Sequence, residues 1–134
     1  MTPADAEQIL CDNFADWVRD LNPEVSEIAP GHAVLTIPIT PRLARIGGII
    51  SGQALSALAD TAMVIACAAQ MGEFRPIATT NLDMQFLRPG TGDHIRCMAE
   101  VTREGRSLFF TRATLIAEPS GKPVATATAT FFRP

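Results

Sequence analysis

Ser51-Gly52-Gln53-Ala54-Leu55-Ser56-Ala57-Leu58-Ala59-Asp60-Thr61-Ala62-Met63-Val64-Ile65-Ala66-Cys67-Ala68-Ala69-Gln70-Met71-Gly72 is the stretch on which the fold turns. Ser51 reads as an N-cap, and the run from Gly52 to Met71 is rich in Ala, Leu and Met with no proline and no internal glycine. Good helix formers bounded in this way predict a helix of about five turns, stopped by Gly72. It is apolar nearly all round, so it needs cover on every side.

The chain after the helix supplies that cover. Four extended segments are expected, at about 75–88, 93–104, 106–118 and 122–132. Arg88-Pro89-Gly90, Gly105 and Pro119-Ser120-Gly121-Lys122 separate them with turn residues. Upstream, Val34, Leu35, Ile37 and Ile39 suggest two short strands near 24–29 and 32–39, hinged at Pro30-Gly31. Residues 40–51 read as a loop. Residues 4–21 read as one amphipathic helix ended by Pro23, with Ile9, Phe14, Trp17, Val18 and Leu21 near one face and the acids solvated elsewhere. Strands of ten or more residues exceed the usual ~5–6. A curved antiparallel sheet of five to six strands wrapped round one helix, an α+β fold, meets both demands. One sheet cannot enclose the helix, and a second copy of the chain related by a two-fold axis is the simplest further cover.

Composition narrows the function classes. With 134 residues, 47% hydrophobic and 19% charged, the chain suits one domain over 1–134 with a proper core, and not disorder. The positive mean hydropathy hints at apolar surface buried between subunits. A net charge of −3 and a pI near 5.3 give no footprint for nucleic acid. Cys11, Cys67 and Cys97 form neither a disulfide framework nor a metal pair. Seven acids against one base, Arg19, in the first 27 residues are unlike a signal or transit peptide. The apolar run 54–69 contains Asp60 and is shorter than the ~18–20 residues of a membrane span. A cytoplasmic protein with no membrane or nucleic-acid partner is expected.

Asp60 is the only charged residue between Arg45 and Glu73, with no base three or four residues away. A carboxylate buried alone is costly and answers with a raised pKa. It could lie at a wet gap or meet an Arg distant in sequence, or serve as a general base or nucleophile. Gln53, Ser56 and Asp60 share one helical face, a polar stripe on a greasy helix. At the N-terminal end, Ser51-Gly52-Gln53 offers unpaired N–H groups and the positive end of the dipole, suited to polarising a carbonyl oxygen. Gly52 and Asp60 lie about 12 Å apart along the axis, whereas a reacting carbonyl must sit roughly 3 Å from both donor and attacker. If both act, they come from different subunits, which puts the site at a dimer interface.

Other constellations fail. Gly48-Ile49-Ile50-Ser51-Gly52 lacks the spacing of a nucleophile elbow. His32 and His94 are isolated, and Cys67 reads as a core residue. No phosphate loop follows Gly47-Gly48, and no βαβ alternation supports a dinucleotide fold.

The stretch from Ile46-Gly47-Gly48 through Ser51-Gly52-Gln53 to Leu58-Ala59-Asp60 resembles the hotdog-fold acyl-CoA thioesterases of the PaaI type, which carry Asn-x-x-Gly-x-x-His-Gly-Gly followed by Leu-Ala-Asp. The likeness continues through Asp83-Met84-Gln85-Phe86-Leu87-Arg88-Pro89, the hairpin Gly105-Arg106-Ser107-Leu108-Phe109, and Gly121-Lys122-Pro123-Val124-Ala125. It implies a hotdog fold, a homodimer, often a dimer of dimers, and hydrolysis of a CoA thioester, with coenzyme A arriving as part of the substrate and no separate cofactor or metal. It implies that Asp60 is the nucleophile or activates water and that the Gly52 amide binds the thioester oxygen. It further implies that Thr79 or Thr80 helps orient water, and that Arg106 and Ser107 approach the CoA phosphates. Arg45 stands where the family has Asn, Ser51 where it has His, and Gln53 where it has the second Gly. The first replaces a polar amide near the acid with a permanent cation, and the other two alter the mouth of the site and leave the helix end and the acid in place. Arg45 could pair with a carboxylate or phosphate, and Arg88, Arg103, Arg106 and Arg112 gather in the strand half.

The expected function is therefore hydrolysis of a medium-chain or aryl acyl-CoA, with Asp60, Gly52, Ser51, Gln53 and Thr79 at the reacting centre. Arg45, Ser56, Thr80, Arg88, Arg106 and Ser107 would bind the substrate. A non-catalytic acyl-CoA binding or sensing module is the alternative. A dehydratase would need a His beside Asp60 on the helix, and none is there.

Overall fold

The computed structural model describes all 134 residues. Helix α1 (Pro3–Asn13) and the single turn α2 (Asp16–Arg19) precede strands β1 (Glu24–Ala29) and β2 (His32–Pro38). A two-rung ladder of β3 (Ala44–Arg45) and β4 (Ile49–Ile50) leads into α3 (Gly52–Met71). Strands β5 (Ala78–Phe86), β6 (His94–Glu104), β7 (Leu108–Glu118) and β8 (Lys122–Phe132) complete the chain. Six strands form one antiparallel sheet in the order β1-β2-β6-β7-β8-β5, and α3 lies against its inner face. This is the expected helix wrapped by a sheet, with β1 at one edge and β5 at the other.

The strand sequences explain the wrapping. Along β7, Phe109, Thr111, Ala113, Leu115 and Ala117 are buried, while Phe110 and Arg112 alternate with them on the outer face. On β8 the inward Ala127 and Ala129 lie between outward threonines. Alanines also crowd the buried side of α3, at positions 59, 62 and 66. Small residues on both surfaces let the helix sit close to the sheet, and Leu58, Met63 and Ile65 fill the remaining core. Ser51 caps α3 as expected, accepting from the Ala54 N–H at 3.2 Å, and Gly72 ends it at φ 78°. At twenty residues α3 is long and apolar enough to cross a membrane, longer than the apolar run 54–69, but twelve of its residues are buried inside the fold.

The N-terminal segment corrects the expectation of one helix over 4–21. The helix breaks at Phe14 and Ala15, both extended in ψ. The Asn13 side chain donates to the Ile9 carbonyl at 3.0 Å, offering the chain an alternative to the next helical turn. The break re-aims α2. Val18 is buried, whereas Trp17 is 62% exposed and leaves the face it was assigned to. Helix α1 packs on β1, where Glu7 accepts from the Val25 N–H at 3.1 Å, while β5 at the other edge is exposed along most of its length. Cys67 and Cys97 are buried in the core, and burial pushes both thiols up to about 12. Cys11 is exposed on α1.

Candidate active site

A groove of about 570 Å³ runs along the uncovered side of α3. Its floor is the stripe Gly52, Gln53, Ser56, Ala57 and Asp60, so the polar face anticipated on the helix lines a cleft. Leu82 and Phe86 of β5 flank the floor, and Trp17 of α2 completes it. Leu82, Met84 and Phe86 alternate along β5, and this period of two is the signal by which the β5 wall could have been found in the sequence. Nothing local in the sequence marks Trp17, because its placement depends on the break after Asn13.

Asp60 meets no cation. Thr79 Oγ1 donates to Asp60 Oδ1 at 3.0 Å, bringing β5 and the middle of α3 together. Burial raises the Asp60 pKa above its usual 3.8, and the hydrogen bond from Thr79 works in the opposite direction. The Thr80 hydroxyl donates instead to the Thr130 carbonyl of β8, at 3.1 Å. A register shift between Thr79 and Asn81 separates the roles of the two threonines.

At the other end of the groove, the first N–H groups of α3 can be accounted for one by one. Ser51 donates to the Leu43 carbonyl and Ala54 to the Ser51 hydroxyl, while Gly52 and Gln53 have no acceptor within the chain. Ser51 thus acts as a cap and does not line the groove. Ser56 Oγ donates back to the Gly52 carbonyl at 2.8 Å. Phe86 lies over Gly52, where an added Cβ would stand 3.3 Å from the ring.

The arginines divide by location. Arg112 is bound to Glu100, Arg96 to Glu118 and Arg133 to Glu104. Arg45, Arg88, Arg103 and Arg106 make no ion pair, among the ten arginines of the chain. Arg45 and Arg88 line a second cleft that shares Gly52 and Phe86 with the groove. Arg106 and Ser107 form the β6–β7 hairpin and line neither cleft. Their side of the sheet is nonetheless the Thr79 side, since Leu108 pairs with Phe132 and Phe132 with Ala78. Unpaired cations therefore stand beyond both ends of the groove.

Residues 47–134 match the family model of the thioesterase superfamily. The chain belongs to that superfamily. A Thermoplasma acidophilum protein that bears the name "putative esterase" is 30% identical over 95 residues, 70% of each chain. Among solved structures, a mutant of the phenylacetic acid degradation protein PaaI from Thermus thermophilus is 28% identical. It superposes with a TM-score of 0.78 over 90% of this chain and all of its own. A hypothetical thioesterase from Streptococcus pneumoniae, solved with coenzyme A, shares the fold at 21% identity. Its TM-score is 0.76, over 83% of this chain and 84% of its own. Within the superfamily frame, Asp60 and the open end of α3 share one groove.

Proposed function

We propose that this chain is an acyl-CoA thioesterase acting on a medium-chain or aryl acyl group as a homodimer. The observation that carries this reading is Asp60: a desolvated carboxylate with a hydroxyl partner and no cation, in the same groove as two free helix-end N–H groups. The superfamily match and the coenzyme A held by the Streptococcus pneumoniae relative support a CoA thioester as substrate.

In this reading the thioester carbonyl oxygen accepts from the partner subunit's Gly52, because Gly52 and Asp60 of one helix stand about 12 Å apart. Asp60 either takes a proton from a water that attacks the carbonyl carbon or attacks that carbon itself. Both routes break the carbon–sulfur bond and consume one water, giving a carboxylic acid and free coenzyme A. Thr79 holds the Asp60 carboxylate in place. Arg45 and Arg88 beside the helix end, with Arg106 and Ser107 at the hairpin, supply cationic and hydroxyl contacts for phosphates or an acyl carboxylate. Ser56 and Gln53 border the acyl path.

Free-thiol release from a panel of acyl-CoAs tests the reading. The parent should turn over. Asp60→Asn should lose at least about 100-fold in kcat while still binding acyl-CoA. Tight binding without turnover by the parent would assign the chain to acyl-CoA binding or sensing. Transfer of oxygen-18 from water into Asp60 during one turnover would mark direct attack on carbon.

A further inference from the structure

The two most exposed aromatic side chains are Trp17, at 62%, and Phe86, at 54%, and both line the Asp60 groove. They come from distant parts of the chain, one from a single turn of helix and the other from the end of the edge strand. Scattered apolar side chains are normal on a protein surface. Two of the largest, lining with Leu82 the groove that also holds Asp60, make an apolar slot with one polar side, Phe86 standing at its Gly52 end. Chain geometry prepares the position: the break after Asn13 buries Val18 and turns Trp17 outward.

We propose that Trp17 is a specificity-determining residue of this site, the aromatic wall against which the acyl group packs. The proposal rests on the thioesterase reading for its substrate and on the groove for its geometry. An indole and a phenyl ring offer quadrupolar faces that reward an offset or edge-on ring beyond the area it buries, and a linear chain collects only the area. Trp17 therefore favours aryl over linear acyl groups, and the polar stripe of α3 orients the thioester.

The chain carries one tryptophan and no tyrosine, so its indole emission reports Trp17 alone. The test compares benzoyl-CoA, octanoyl-CoA and free coenzyme A on the full chain, its Trp17→Ala and Trp17→Phe variants, and Asp60→Asn. Saturable change in Trp17 emission of Asp60→Asn is expected with benzoyl-CoA and not with coenzyme A. In Trp17→Ala the ratio of kcat/KM for benzoyl-CoA over octanoyl-CoA should fall about fivefold to tenfold, and Trp17→Phe should recover most of it. Hydrolysis by the parent with an unchanged ratio in Trp17→Ala overturns the proposal and leaves the thioesterase reading intact. A saturable benzoyl-CoA signal without hydrolysis by the parent overturns the thioesterase reading and keeps Trp17 as a binding wall. Emission that follows protein concentration and ignores acyl-CoA assigns the ring to a subunit contact and also overturns the proposal.

Discussion

Asp60 receives one hydrogen bond, from Thr79, and that bond opposes the effect of burial on its proton affinity. Removing the hydroxyl should let burial act alone. Thr79→Ala is expected to move the acidic limb of the kcat/KM profile to higher pH, with Thr79→Ser restoring it. The raised pKa also has a stability consequence with a definite sign. The folded state holds the Asp60 proton more tightly than the unfolded chain, so the contribution is full below about 3.8 and is lost as pH rises through the folded value. Asp60→Asn should therefore melt higher than the parent at neutral pH and converge with it in acid. Gly52, the oxyanion donor of the proposed mechanism, permits a cleaner substitution than most such groups. Ser51 already has the extended ψ of 149° that must precede a proline, and proline is welcome in the first turn of a helix. Gly52→Pro removes the N–H, whereas Gly52→Ala keeps it and only presses on Phe86. A kcat loss of about 100- to 1,000-fold in the proline variant, well beyond that in the alanine variant, is expected. Gln53, Ser56 and Asp60 were legible as a stripe because helical spacing is local, and Gly52 as the open helix end because Ser51 reads as the cap. The pairing of Asp60 with Thr79 rather than Thr80 was not, because a bulge between strands decides it.

Among the elements, α3 was the most legible, since its cap, composition and stop all point to the same helix. Gly72 ends it in the left-handed region with no atom near enough to meet a side chain. Gly72→Ala should thus cost only backbone strain, about 1 kcal/mol, read as a lower urea midpoint with an unchanged slope. The four long strands were also visible, in their alternation and turn residues, with ends displaced by a few residues. The N-terminal helix was misread because apolar spacing alone continues through Phe14, whereas the Asn13 side chain competes for the Ile9 carbonyl. That error hid Trp17. The β3–β4 ladder escaped notice because two-residue strands have no periodicity to detect.

For the whole molecule, α1 packs at one edge of the sheet and β5 lies exposed at the other, and the groove lies on the β5 side. A second copy meeting the chain there would complete the site with its own helix end. Mixing Asp60→Asn with Gly52→Pro, each nearly inactive, tests this. Random exchange makes half the dimers mixed, each with one intact site, so about a quarter of parental activity should return. No recovery after demonstrated subunit exchange would place both groups within one protomer. The disposition of the sulfur atoms has a practical corollary. Two of the three thiols are sealed in the interior and held protonated, so Cys11 is the natural attachment point for an electrophilic dye. A chromogenic disulfide reagent used to follow liberated coenzyme A carries a background of one equivalent per folded chain, and a rise above that before acyl-CoA is added records unfolding.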